Sequence, residues 1–113
     1  MPDSPKADVL ILTKNGGPLF RRVLPAVLAQ RAPWPFTVCV WDSGSTDGTL
    51  EFSRSLPVRV ETLAPGDFQH GRTRNLAMSR AIGEFGVFLT QDALPVDDQW
   101  LLRLVTACEA APD

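Results

Sequence analysis

Several things are scarce in this sequence, and each scarcity removes a class of function. Basic excess is missing: 11 Lys and Arg stand against 13 Asp and Glu, for a formal net charge of −2. That leaves no general electrostatic case for nucleic acid as a partner. Lysine occurs only as Lys6 and Lys14, both near the start of the chain. Cysteine is limited to Cys39 and Cys108, with no CxxC pair. Both lie in apolar surroundings, which predicts buried, reduced thiols in a cytosolic protein rather than a disulfide or zinc site. Long apolar runs are absent too. Val9–Leu12 is far too short for a secretory signal, and no segment has the length to span a bilayer. No GxGxxG follows the first apolar run, and GxxxxGK[ST] occurs nowhere. A Rossmann dinucleotide site and a P-loop are therefore disfavoured. There is no internal repeat and no low-complexity tract.

What is present is ordinary globular material: 113 residues, 44% hydrophobic and 21% charged. This suits one compact domain. We expect a flexible N-terminus over 1–6 and one domain over 7–113. Four apolar runs read as strands, 7–13, 37–42, 58–62 and 85–91. The first, second and fourth are nearly continuous in apolar residues, the mark of strands covered on both faces. Helical patterns alternate with them. In 18–30, Leu19, Phe20, Val23, Leu24, Val27 and Leu28 form one apolar stripe. Pro18 suits a first turn, whereas Pro25 predicts a kink or break, because interior proline costs about 3 kcal/mol. Further helices are expected over 47–55, 71–82 and 97–110. Asp47 or Thr46 should start the second, Gly83 should stop the third, and Asp97 and Asp98 should sit in the first turn of the fourth. Leu101, Leu104, Val105 and Cys108 should line that last helix's inner face. The order β-α-β-α-β-α-β-α predicts an α/β fold. Its core would be a Rossmann-like, doubly wound, mostly parallel sheet of about four strands with helices on both faces.

In such sheets ligands bind outside the carboxyl ends of the strands. Three polar segments fall there: "TKNGG" (13–17), "DSGSTDGT" (42–49) and "TQDALP" (90–95). A fourth, "FQHGRTRN" (68–75), could fold over the same edge. A calcium loop fails on spacing, since Gly44 and Thr46 stand where acids are needed. A phosphatase reading of "DGTL" fails because Ser45 stands where a nucleophilic aspartate would be. Asp42 directly ends a strand. There it reads as an acceptor for a nucleobase N–H or ribose hydroxyls, in preference to capping its own loop as an Asx turn. Asp47 reads as a helix cap, and Ser43, Ser45 and Thr46 divide evenly between loop-capping and contact roles. Asp92 can hold a divalent ion that bridges a diphosphate. Arg72, Arg74 and Asn75 open the third helix. Two guanidiniums there oppose the helix dipole unless an anion lies close. His70 reads first as a loop histidine. Together these groups describe a site for a nucleotide-diphosphate conjugate.

The stretches "VLILTKNGG", "DSGSTDGTLEF", "FQHGRTRNLA" and "GEFGVFLTQDALPVDDQWL" resemble the family-two inverting glycosyltransferases, most closely the rhamnosyltransferase-like branch. The similarity runs from about Ala7 to Cys108, in order and spacing. It implies the nucleotide-sugar-binding half of a GT-A fold and a hexosyltransferase using a UDP- or dTDP-sugar. Under that resemblance Thr13 and Asn15 lie beside base and ribose, and Asp42 contacts the base. Ser43 stands where many relatives have a second aspartate. Arg74 and Asn75 match an "ARN"-like pair near the nucleotide. Asp92 matches the last aspartate of the metal-binding DxD motif, with Gln91 between it and Thr90, which replaces the first. The implied cofactor is Mg²⁺ or Mn²⁺, and the implied acceptor is a glycan or lipid-linked hydroxyl, in polysaccharide biosynthesis. The implied station is the cytoplasm or the periphery of the inner membrane. The catalytic base would come from an acceptor-binding half beyond residue 113, so no residue here is assigned that role.

Two rivals are weighed beside this. One is a nucleotide-binding module that works only with a partner or a C-terminal half, and that self-associates through the face this leaves open. The other is a receiver-like or flavodoxin-like domain. It is disfavoured because a receiver needs a lysine after a later strand, and both lysines here come early.

Overall fold

The computed structural model describes residues 5–63 and 70–110. The chain alternates strand and helix: β1 (Ala7–Thr13), α1 (Gly17–Leu28), β2 (Phe36–Asp42), α2 (Thr49–Arg54), β3 (Arg59–Thr62), α3 (His70–Ser79), β4 (Phe85–Thr90) and α4 (Trp100–Ala110). The sheet order is β3-β2-β1-β4, and every pairing is parallel. The register sets Thr13 beside Asp42 and Leu12 beside Thr90. The chain builds outward from β1 through β2 to β3, then crosses back to lay β4 on β1's other edge. That reversal creates a crevice at the carboxyl ends of β1 and β4, the topological switch point where α/β sheets bind ligands.

Alternation along β1 explains its unbroken apolar run. Val9 and Ile11 face a layer containing Phe20, Val23, Leu24 and Val27 of α1 with Leu101 and Val105 of α4. Leu10 faces the other way, with Cys39, Trp41 and Ala77. The first layer also holds Phe52 of α2, edge-on to Phe20 at 6.3 Å. The second is thinner and rests on α3 among the described residues, with Ala77 and Leu76 inward as expected. Arginines add to it: the Arg80 guanidinium lies 5.6 Å from the Trp41 ring and that of Arg74 lies 4.5 Å from Phe88. At these separations cation–π attraction contributes about 0.5–1 kcal/mol each at exposed sites.

Several local expectations are corrected. α1 runs through Pro25 without a break, and the Pro25 carbonyl still accepts from the Ala29 N–H at 2.9 Å. The missing N–H costs one bond, which burial of four large side chains on the same helix outweighs. Gly83 does not stop α3, which ends at Ser79. Gly83 instead passes against β1, where a Cβ would lie 2.8 Å from Asp8 Oδ2 and 3.1 Å from the Ala7 backbone. Asp8 is buried, and its Oδ2 accepts from Ile82 N–H at 3.0 Å and from Gly83 N–H. Asp97 and Asp98 precede α4 rather than forming its first turn, because the segment doubles back to meet α1. Gln30 makes that junction. Its amide donates to the Asp97 carbonyl at 2.6 Å and its carbonyl accepts from Leu101 N–H at 2.9 Å. Cys39 is buried, but Cys108 is exposed, since the core-facing stripe of α4 ends at Val105. Leu104, also expected inward, is 37% exposed.

Candidate functional site

Three loops meet at the carboxyl edge of the sheet. After β1, four consecutive amides are each filled by a side-chain oxygen. Lys14 N–H donates to Gln91 Oε1 at 2.9 Å and Asn15 N–H to Ser45 Oγ at 2.8 Å. Gly16 N–H donates to Thr49 Oγ1 at 3.1 Å and Gly17 N–H to Asp47 Oδ2 at 3.0 Å. Successive amides of this kind form anion cradles in other loops. Here the protein supplies the oxygens itself. Asn15 sits at φ +49° and returns the connection, its Oδ1 accepting from Thr46 N–H at 2.7 Å. The β1–α1 and β2–α2 loops are thus tied into one body.

Asp42 is the hub of that body. It is 1% exposed, and its two oxygens accept four hydrogen bonds. Oδ1 takes the Thr13 and Ser45 hydroxyls at 2.8 and 2.5 Å, and Oδ2 takes the Gly44 and Ser45 amides at 3.1 and 2.9 Å. Burial alone would push this carboxyl up. The Ser45 hydroxyl and amide, the Thr13 hydroxyl and the Gly44 amide together outweigh it and hold the group below its ordinary value. Asp47 is likewise held low, chiefly by the Thr49 hydroxyl; it accepts the Thr49 N–H from one residue ahead of Gly48, the N-cap of α2. Gly44 and Gly48 take φ of +95° and +91°, so the glycines serve the turn, as expected.

A cavity of about 670 Å³ opens at the switch point, with Leu12 and Phe88 among its apolar lining. Its polar lining includes Thr13, Lys14, Ser43, Arg74, Gln91 and Asp92. Of the residues expected in the site, Thr13, Ser43, Arg74, Gln91 and Asp92 are therefore gathered around one space. Asn15 and Asp42 are outside the lining: Asn15 is exposed, Asp42 is buried, and both are hydrogen-bonded to the β2–α2 loop. Asn75 is exposed on α3 beside Arg74 but outside the lining. Phe68 and Gln69, and the side chain of His70, lie outside the described residues. Lys14 was not among the expected site residues. Its ammonium donates to the Ser43 and Gly44 carbonyls, each at 3.2 Å. The available signal was a lysine directly after a strand in a chain with only two.

Comparison with known proteins places this geometry. The family model described as Glycosyl transferase family 2 matches residues 8–113. The chain belongs to glycosyl transferase family 2. It is 36% identical over 102 residues to the O-antigen chain rhamnosyltransferase RfbN of Salmonella typhimurium, covering 88% of this chain and 32% of that protein. The structure of S. aureus TarS in complex with UDP superposes with a TM-score of 0.78 at 28% identity, covering 92% of this chain and 32% of that one. The mannosyltransferase PcManGT from Pyrobaculum calidifontis, in complex with GDP-Man and Mn²⁺, gives a TM-score of 0.75 at 27% identity, covering 99% of this chain and 35% of that one. The chain thus spans about a third of the length of each of these proteins. The GT-A-like sheet expected from the sequence is the sheet observed.

The metal expected from the resemblance can be tested against the donor set. Among the described residues no group of three or more His, Cys, Asp or Glu stands together. Thr90 is neutral and Gln91 is committed to the Lys14 backbone, accepting its N–H and donating to its carbonyl at 3.2 Å. That leaves one exposed carboxylate, Asp92, at the cavity. Mg²⁺ and similar ions commonly take one or two carboxylates plus substrate phosphates and water. The residues therefore fit an ion shared with a diphosphate, not one held by the protein alone.

Proposed function

We propose that this chain is the donor-binding part of an inverting hexosyltransferase that takes a UDP- or dTDP-sugar into the switch-point cavity. The observation that carries this reading is the cavity lining. Two cations, Lys14 and Arg74, and one carboxylate, Asp92, stand around a space whose lining also includes Leu12 and Phe88. Apolar walls suit a nucleobase and sugar faces, and the cations suit a diphosphate. The UDP bound to TarS and the GDP-Man and Mn²⁺ bound to PcManGT support the same ligand class.

In this reading Thr13 and Ser43 lie toward the nucleoside, with Asp42 and Asn15 holding their loops in register. Arg74, with Asn75 beside it, faces the diphosphate. Its ring contact with Phe88 occupies one face of the guanidinium and leaves the N–H edge for phosphate oxygens. A bound divalent ion, held by Asp92 with the phosphates, would neutralise charge on the leaving diphosphate. An acceptor hydroxyl, from a glycan or a lipid-linked glycan, would attack the anomeric carbon in line with inversion. The base that deprotonates it is expected outside residues 1–113, and the reaction would serve polysaccharide assembly. No helix among the described residues is long and apolar enough to cross a membrane.

Calorimetry tests the proposal. UDP or dTDP should bind, and Mn²⁺ should tighten that binding. Mn²⁺ without nucleotide should give no saturable heat, and Asp92→Asn should remove the metal's effect. Absence of binding by both nucleotides, with and without metal, would refute the reading. Sugar transfer assayed on this chain and on a longer one would separate a donor-binding part of an enzyme from a binding module without turnover.

A further inference from the structure

We infer that Lys14 is a fixed cation of the site and contacts the phosphate groups of the ligand, an inference that deepens the donor-binding reading and rests on it for the ligand's identity. An exposed lysine ordinarily samples many rotamers, and freezing them carries an entropic cost. Lys14 is exposed, yet it is held at both ends. Its main chain is clamped by Gln91, which accepts the Lys14 N–H at 2.9 Å and donates to the Lys14 carbonyl at 3.2 Å. Its ammonium is held by the Ser43 and Gly44 carbonyls at 3.2 Å each. An ammonium has three donors and no acceptor, so one N–H remains after those two bonds. Carbonyl partners orient the charge without neutralising it. Among the described residues no carboxylate lies within ion-pair distance of Lys14, although Lys6 has Glu84 and Glu109 at 2.7 and 2.8 Å. The result is a positioned, uncompensated positive charge on the wall of the same cavity as Arg74.

The filled cradle leaves this loop no free backbone donor for an anion. In many α/β sites the amides after the first strand bind phosphate. Here the amides of Lys14, Asn15, Gly16 and Gly17 are already occupied by side-chain oxygens. Those backbone donors are unavailable to a ligand, so a phosphate at this loop must be met by a side chain. Lys14 is the cationic side chain the loop carries. Gln91 is the positioning residue: its two bonds continue the β1–β4 pairing past Leu12 and Thr90 and set where Lys14 leaves the sheet.

The experiment is calorimetric titration of wild type, Lys14→Met and Lys14→Arg with UDP, inorganic pyrophosphate and uridine. Circular dichroism melting confirms that each variant is folded. Lys14→Met should weaken UDP and pyrophosphate about tenfold and leave uridine unchanged, as loss of one charged hydrogen bond predicts. Lys14→Arg should recover most of the loss. Gln91→Glu should weaken UDP at neutral pH, where its second oxygen opposes the Lys14 carbonyl. It should recover in acid, where a protonated carboxyl donates as the amide did. Unchanged UDP and pyrophosphate binding by Lys14→Met overturns the inference. So does a loss shared equally by uridine, which marks a merely structural role, and so does failure of wild type to bind either anion. Wild type that binds pyrophosphate through Lys14 but no nucleotide would uphold the inference and sink the nucleotide reading.

Discussion

Removing the Asp42 carboxylate should separate a structural hub from an ordinary surface acid. The group accepts four hydrogen bonds at 1% exposure. In Asp42→Ala the two hydroxyls can turn elsewhere, and the Thr13 hydroxyl already lies 3.5 Å from the Trp41 carbonyl. The Gly44 and Ser45 amides cannot turn. An unsatisfied donor costs about 1–3 kcal/mol when buried, and these two are half-buried, so about 3 kcal/mol is expected in all. Asp42→Asn keeps one oxygen for the two amides and offers an NH₂ to the two hydroxyls, which can accept. It loses only the charge assistance, about 1 kcal/mol. With a urea m-value of about 1.5 kcal/mol per M, the midpoints should fall by about 2 M and 0.7 M. Acid supplies an internal control. The folded carboxyl titrates below its unfolded value, so its stabilisation is complete above the ordinary carboxylate range. It is lost as pH falls through the lowered folded value. The gap between wild type and Asp42→Asn should therefore close in acid. Alanine and asparagine variants of equal stability at neutral pH, or a gap that persists in acid, would refute this account.

Two further outcomes follow from packing. Gly83→Ala should destabilise the domain by about 1–3 kcal/mol in the same urea assay, because its Cβ would meet Asp8 Oδ2 and the Ala7 backbone. A midpoint equal to wild type would show that the β1 contact yields freely. A thiol reagent should titrate one cysteine in the native protein and both in denaturant, since Cys108 is exposed and Cys39 buried. Two fast native thiols would contradict the packing of Cys39 between Leu10 and Trp41.

The strands were legible because their signal is local: a strand covered on both faces is nearly continuous in apolar residues, and the middles of β1 and β2 are. The parallel order then followed from alternation with helices. What could not be read was anything set by a distant partner. Gln30 looks like one more polar residue at a helix end, yet it fixes the approach of α4, 71 residues from its Leu101 partner. Asp97 and Asp98 look like first-turn acids. The chain instead spends Asp97 on Gln99 and Arg103, and pairs Asp98 with Arg31. In the site, cavity-lining residues at strand ends were legible from position and chemistry. The division between wall and strut was not. Asp42 and Asn15 carry suitable groups, but only the folded loops reveal that those groups are already engaged. Lys14 was missed because a single lysine has no pattern, and its constraint comes from Gln91, 77 residues away.

The strand order also dictates when the site comes into being. As the chain leaves the ribosome, β1, β2 and β3 can pair in sequence, and the two stapled loops can close with them. β1's second edge must wait for β4. Until residues 85–92 emerge, that edge is an unpaired apolar strand, the kind of surface that invites wrong partners. The cavity has one wall on each side of this late seam. A nascent chain can thus staple its two loops together before it has a pocket, with Lys14 still awaiting Gln91, and pairing of the last strand both protects the sheet and completes the site.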